Sequence, residues 1–265
     1  MIQCANGQGF LTSRKIAASA FVQNKRPLGP DTYVERGARL FGNVKTGEHV
    51  HIDSNAVLYG PIQIGDRSYI GPNSVIGFPA SDELVQVTLS HKTPRKKSTL
   101  LGENCVVRSG TTIYSNVIVE NDVSFGHNVL IRENVGIGAH SKVGTGVVVD
   151  GSTKIGKRVS IQTGVYICTY STIEDGVFLG PCCVFTNDKF VMQKTFKLIG
   201  PTVRKGASIG ANALLFPGVT VGEGAVVGSQ AMVNVDVPAR TIFVGVPARK
   251  IRDVPDDWRP SLLQN

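Results

Sequence analysis

At 265 residues, with 42% hydrophobic and 18% charged side chains, the chain is long enough to bury a full core and too apolar to be disordered. A formal charge of +8 and a pI near 9.3 favour anionic partners such as nucleic acid, a phosphorylated small molecule or a membrane surface. No arginine-rich tail, zinc spacing or RNP-like aromatic cluster supports nucleic acid, and no stretch approaches the ~20 apolar residues of a membrane span.

The opening residues, MIQCANGQGFLTSRKIAASAF, show no period and lack the charged and apolar regions of a secretory leader. Residues 1–27 therefore read as an N-terminal cap. The cysteines (Cys4, Cys105, Cys168, Cys182 and Cys183) are odd in number and have no framework spacing, which predicts a reduced, cytoplasmic protein. The adjacent Cys182 and Cys183 read as small fillers at a corner rather than as a redox pair.

From about Val22 an apolar residue recurs every sixth position: Leu28, Val34, Leu40, then a weak stop at Thr46, and on through Ile52, Leu58, Ile64, Ile70 and Ile76. The beat breaks over 78–99, a polar and basic segment expected to be an inserted loop. It returns at Leu101 and holds for fifteen stops to Phe185, among them Val107, Phe125, Ile131, Val143 and Ile161. A second insertion covers 186–201, and the beat resumes from Val203 to Val233. Small or β-branched residues such as Val117, Ser141, Ala207 and Ala213 stand four places after the stops, and glycine often follows them directly, as at Gly126 and Gly144. Residues 253–265 form a polar tail. Neither a helical period nor strand alternation explains a beat of six, whereas an internal repeat does. Short strands separated by tight corners stack into a parallel β-solenoid, which makes the chain all-β. Its interior is filled by the stops, so any site lies on the outer surface or between subunits.

The hexads IGAHSK, IGKRVS, IGANAL and VGEGAV and the ending VGVPARKI resemble the hexapeptide-repeat acyltransferases over about 28–252. The resemblance implies a single-stranded left-handed β-helix with 18-residue coils and a homotrimer with sites between subunits. It further implies acetyl-CoA as co-substrate and no metal. The string VFTNDKF and the hexads after it look like the family's nucleotide-sugar N-acetyltransferases. The nearest pattern is the group acetylating the 3-amino group of UDP-2-acetamido-3-amino-glucuronic acid, which places an asparagine at the position of Asn187. This chain departs from that group by its extra N-terminal coils and its 78–99 insertion. The implied activity is N-acetylation of a UDP- or dTDP-linked amino sugar for a surface polysaccharide. Two alternatives remain open at this point: an acyl-carrier-protein-dependent acyltransferase on a UDP-sugar lipid precursor, and a non-catalytic solenoid. The fold also builds γ-type carbonic anhydrases, but the five histidines lack the required spacing for a zinc triad.

Acyl transfer to an amine needs a neutral amine, a thioester held close and stabilisation of the developing oxyanion. His127 in FGHNVL points outward two places after stop Phe125 and resembles the family's catalytic histidine. The coil spacing stacks it with Ser109 and Thr145. Asn187 can hold an amine or a carbonyl without acting as a base. The two are expected to stand about 14 Å apart along the axis, three coils of 4.8 Å, and so not to share one reacting atom. Arg132, Glu133 and Asn134 are candidates for sugar or phosphate, and Lys92 and Arg95, within a basic cluster that includes His91, Lys96 and Lys97, for a nucleotide diphosphate. Arg204, Lys205, Arg249 and Lys250 are implied to meet the coenzyme A phosphates, with Ala207, Ala213 and Ala225 leaving room for its pantetheine arm.

Overall fold

A computed structural model describes residues 15–23, 27–90 and 97–264. Short parallel strands stack into three sheets that form the faces of a solenoid of about 12 turns. Sheet one climbs from Lys15–Ile16 through Ser124–Phe125 and Lys142–Val143 to Thr241–Val244, and closes on the antiparallel strand Arg249–Asp253. Sheet two runs from Phe21–Val22 to Met232–Val233, and sheet three from Val44–Thr46 to Thr220–Val221. Each ladder step through the central run advances 18 residues, as in Ser124↔Lys142 and Lys142↔Ser160.

The period of six follows directly from this geometry, with one hexad supplying one strand and one corner. All fifteen stops from Leu101 to Phe185 are buried, Phe125 and Phe185 completely. The residues four places on also face inward, with Val117, Ser141 and Ala213 all fully buried. Thr46 is the half-exposed exception, and its hydroxyl accepts the Gly29 N–H at 2.8 Å. Three residues after many stops the backbone is left-handed, at Asn104, Asn128, His140 and Arg158 among others. Asparagine and aspartate tolerate that conformation best among non-glycine residues, which accounts for their recurrence at this place.

Three boundaries differ from the sequence reading. Residues assigned to an N-terminal cap already belong to the solenoid, since Lys15–Ile16 pairs with Tyr33–Val34 and Phe21–Val22 with Arg39–Leu40. Ile16 and Val22 stand on the beat of six below Leu28, with Val22 packed partly against the core and Ile16 exposed. The segment expected to be a loop over 78–99 contains a helix, Ser81–Ser90. Glu83 caps it by accepting the Ala80 N–H at 3.0 Å, and also accepts from the Ser115 hydroxyl at 2.6 Å. The polar tail starts within the strand Arg249–Asp253, and Arg240 donates to the carbonyls of Val254 and Pro255. No helix among the described residues is long and apolar enough to cross a membrane.

Both insertions leave the solenoid at the same edge. The first departs after Val75–Phe78 and the second after Val184–Phe185; both strands are in sheet two, and both insertions return into sheet three. Five ladder steps separate them, ~24 Å along the axis.

Candidate functional site

His127 follows Ser124–Phe125, at the edge where sheet one turns into sheet two. Consecutive coils bring Ser109, His127 and Thr145 into one column. Ser109 Oγ lies 2.7 Å from His127 Nδ1, and the His127 N–H donates to Thr145 Oγ1 at 3.3 Å. The column borders a surface depression of about 300 Å³ that also takes in Arg108, Lys142 and Gln162. Gly126 and Gly144 keep this edge closely stacked, because a Cβ on either would come within 2.5–2.7 Å of the next coil's backbone. The imidazole is exposed, and its Nδ1 contact with Ser109 leaves Nε2 as the nitrogen available to a ligand.

Asn187 occupies a different edge, after Val184–Phe185 of sheet two. Three ladder steps separate the level of Ser124–Phe125 from that of Phe178–Leu179, the strand just before it in sheet one. His127 and Asn187 of one chain therefore do not meet, as the coil arithmetic required. Asn187 closes the neck of its insertion. Its Nδ2 donates to Thr169 O at 3.3 Å, and its carbonyl accepts the Ile199 N–H at 3.1 Å. Beyond it, the backbone N–H groups of Phe190 and Met192 bond to Asp188, which holds that carboxyl below its usual range.

The remaining predicted residues fall at separate places. Arg132 and Glu133 lie at the edge between sheets two and three, one face away from His127. Their side chains form a bidentate pair at 2.9 and 3.0 Å, and Arg132 also stacks over Tyr114. That pairing engages the Nε–Nη2 edge of the guanidinium and offsets its charge. Asn134 accepts from Asn116 in the coil below. Lys92 and Arg95, with His91 and Lys96, lie outside the described residues. Arg204 is paired with Glu174 at 2.6 Å and Lys250 with Asp253 at 2.7 Å, while Arg249 donates to the Ala248 carbonyl and Lys205 is exposed.

One expectation is overturned. Ala207, Ala213 and Ala225 were to flank a pantetheine arm, but all three are fully buried in the solenoid interior. The place four after a stop faces inward, so these alanines fill the narrow inner corner and cannot touch a ligand on the surface.

Burial also decides the cysteine chemistry. It pushes the Cys183 thiol up to about 12 and the Cys168 thiol to about 11, whereas Cys182 is exposed on a left-handed corner. An Ellman titration of the folded protein is expected to label Cys182 and to lose that signal in Cys182→Ser. Cys105, Cys168 and Cys183 should react only after denaturation. No group of three His, Cys, Asp or Glu side chains among the described residues is arranged to hold a metal ion.

Comparison with known proteins follows the repeat. The bacterial transferase hexapeptide (six repeats) family matches residues 43–77, and the hexapeptide repeat of succinyl-transferase matches 205–229. The Escherichia coli K12 serine acetyltransferase is 37% identical over 92 residues, covering 32% of this chain and 33% of its own length. An Enterococcus faecalis 2,3,4,5-tetrahydropyridine-2,6-dicarboxylate N-acetyltransferase is 52% identical over 48 residues, covering 18% of this chain and 21% of its own. The chain thus spans between about a fifth and a third of these curated relatives. Among solved structures, the Arabidopsis UDP-N-acetylglucosamine acyltransferase aligns over 90% of this chain and 74% of its own, with a TM-score of 0.50 and 16% identity. That likeness concerns the fold.

Proposed function

We infer that this hexapeptide-repeat chain is an acyltransferase. It moves acetyl from acetyl-CoA to the amino group of a sugar carried on UDP or dTDP, and it works as a homotrimer with its sites between subunits. The observation that carries this reading is the Ser109–His127 pair at 2.7 Å beside an open, cation-lined depression. Hexapeptide-family matches at both ends of the solenoid and short, strong similarity to acetyltransferases support the reaction class.

In the reaction, the neutral amine attacks the thioester carbonyl to give a tetrahedral oxyanion, which collapses with release of the coenzyme A thiolate. His127 Nε2 takes the proton that the amine loses and returns a proton to the leaving sulfur. Ser109 holds Nδ1 in the protonated tautomer, so that Nε2 presents a lone pair. Ser109 is a positioning residue in this scheme. The cofactor's phosphates lie toward Lys205 and Arg249, whose cationic groups form no ion pair among the described residues. Asn187 and its insertion, three ladder steps and one face away, stand apart from this centre within one chain.

The test is direct: purified protein is incubated with acetyl-CoA and a panel of UDP- and dTDP-amino sugars while free thiol is followed. Thiol release that depends on an amino sugar is the expected result. Turnover only with acylated acyl carrier protein, or none with any amine, overturns the reading.

A further inference from the structure

The depression beside His127 does not end there. A second one, of about 360 Å³, opens on the other side of the same strand and is bordered by His140, Arg158 and the tail residue Leu262. Lys142, on the strand Lys142–Val143 of sheet one, lies in the wall of both. Together they make a trough across sheet one, from the column of His127 at one edge to that of His140 at the other. His140 and Thr145, at its two ends, lie at the corners on either side of the strand Lys142–Val143.

The trough is lined by cations without a carboxylate. Several surface guanidiniums are neutralised, with Arg67 paired to Glu103, Arg132 to Glu133, Arg204 to Glu174 and Arg240 to Asp256, while others such as Arg36, Arg39 and Arg249 have no ion pair among the described residues. Arg108, Lys142 and Arg158 have no ion-pair partner among the described residues, and neither depression has a carboxylate in its wall. The acid nearest this end is Asp122, 3.5 Å from His140 Nδ1, and it also accepts from Asn104. Arg108 lies two ladder steps below Lys142 and Arg158 one step above it, so an anion placed over Lys142 is attracted from both sides.

The chain's C-terminal segment completes the far end. One corner position passes up consecutive coils through His140, Arg158, Gly176, Gly206, Gly224 and Arg240. Anchored at Arg240, the tail runs back down this edge. A Cβ on Gly206 would lie 2.8 Å from Pro260 Cγ, and one on Gly176 would overlap the Leu263 side chain. Side chains are thus absent at the two coils the tail crosses and return as Arg158 and His140 beside Leu262. The tail is seated so that an apolar side chain borders the basic trough.

We propose that this trough binds the nucleoside diphosphate of the acceptor. Its phosphates lie on Lys142 between Arg108 and Arg158, its base lies against Leu262, and its sugar amine points to His127. The proposal rests on the reading that His127 marks the reacting centre, and it assigns the substrate's anionic half to residues that no motif indicated.

Calorimetric titration of UDP, dTDP, inorganic pyrophosphate and adenosine 3′,5′-bisphosphate into the full-length protein tests it. UDP, dTDP and pyrophosphate are expected to bind the wild type and to lose about ten- to a hundred-fold in affinity in Lys142→Ala and in Arg158→Ala. Leu262→Ala should weaken UDP but not pyrophosphate, and Arg67→Ala should change neither. All these positions are on the surface, so the variants are expected to fold, and coincident thermal melts check this. The proposal is overturned if the wild type binds none of the three probes, or if Lys142→Ala leaves UDP and pyrophosphate unchanged. It is also overturned if only adenosine 3′,5′-bisphosphate is lost, which would give the trough to the cofactor. Binding is read without turnover, so failure of the acetyl-transfer assay leaves this outcome standing. Turnover of a nucleotide sugar with unchanged UDP affinity in Lys142→Ala removes the trough alone.

Discussion

Replacing His127 by alanine is expected to lower kcat for acetyl transfer by about 10²–10⁴-fold, the usual contribution of a positioned general base. The imidazole is exposed and its ring makes one side-chain hydrogen bond, to Ser109, so its removal costs little stability. Coincident melting curves for variant and wild type would establish that the loss is chemical. Ser109→Ala is expected to cost less, about ten-fold, because the base remains while its tautomer and orientation are no longer held. A merely structural serine would move kcat and KM together, whereas loss of the Nδ1 partner should lower kcat with KM unchanged. An unchanged kcat in His127→Ala would move the reacting centre to the insertion that follows Asn187, three ladder steps and one face away.

The second large effect concerns stability. Phe125→Ala is expected to destabilise the protein by about 3–5 kcal/mol, read as a lower denaturation midpoint at nearly constant m. Phe125 is fully buried, with Val107 and Val143 stacked in the coils on either side. The coils cannot close over the missing ring, because ladder bonds such as Gly126 N–H to Val143 O at 2.7 Å fix their spacing. The void therefore persists. Ile118, half-exposed on the outside of the neighbouring hexad, provides the contrast, and its alanine variant should change stability by less than about 0.5 kcal/mol. Because each coil contacts chiefly its neighbours, the Phe125 cavity should loosen the His127 coil before the ends of the solenoid. Hydrogen exchange along the chain would locate that opening.

Much of the architecture was legible because one face of every hexad must be buried. A side chain at a stop has no alternative to the interior, so Leu101 through Phe185 write the fold directly into the letters. The beat fell silent where the chain leaves the prism, as in the helix Ser81–Ser90, and at Ile16 and Val22 it was present but too short a run to separate from a cap. The His127 column was legible for the same reason: a fixed rise of one coil per 18 residues stacks Ser109 beneath it. Surface pairing was not legible. Arg132 reads in sequence like a phosphate ligand, and only its bidentate contact with Glu133 shows its charge to be offset within the chain. The inward alanines failed differently, since a small residue suits a cofactor channel and a narrow inner corner equally well.

By itself, then, the sequence determined the solenoid, its register and the axial separation of His127 from Asn187, because each follows from a repeat length and a fixed strand spacing. Tertiary structure decided which charges are neutralised, which glycines receive the tail, and that Lys142 joins two depressions into one trough. Those outcomes depend on contacts between coils and between tail and solenoid. No local pattern encodes them, because the partners, Gly176 and Leu263 for example, are distant in the chain and meet only once the coils have stacked.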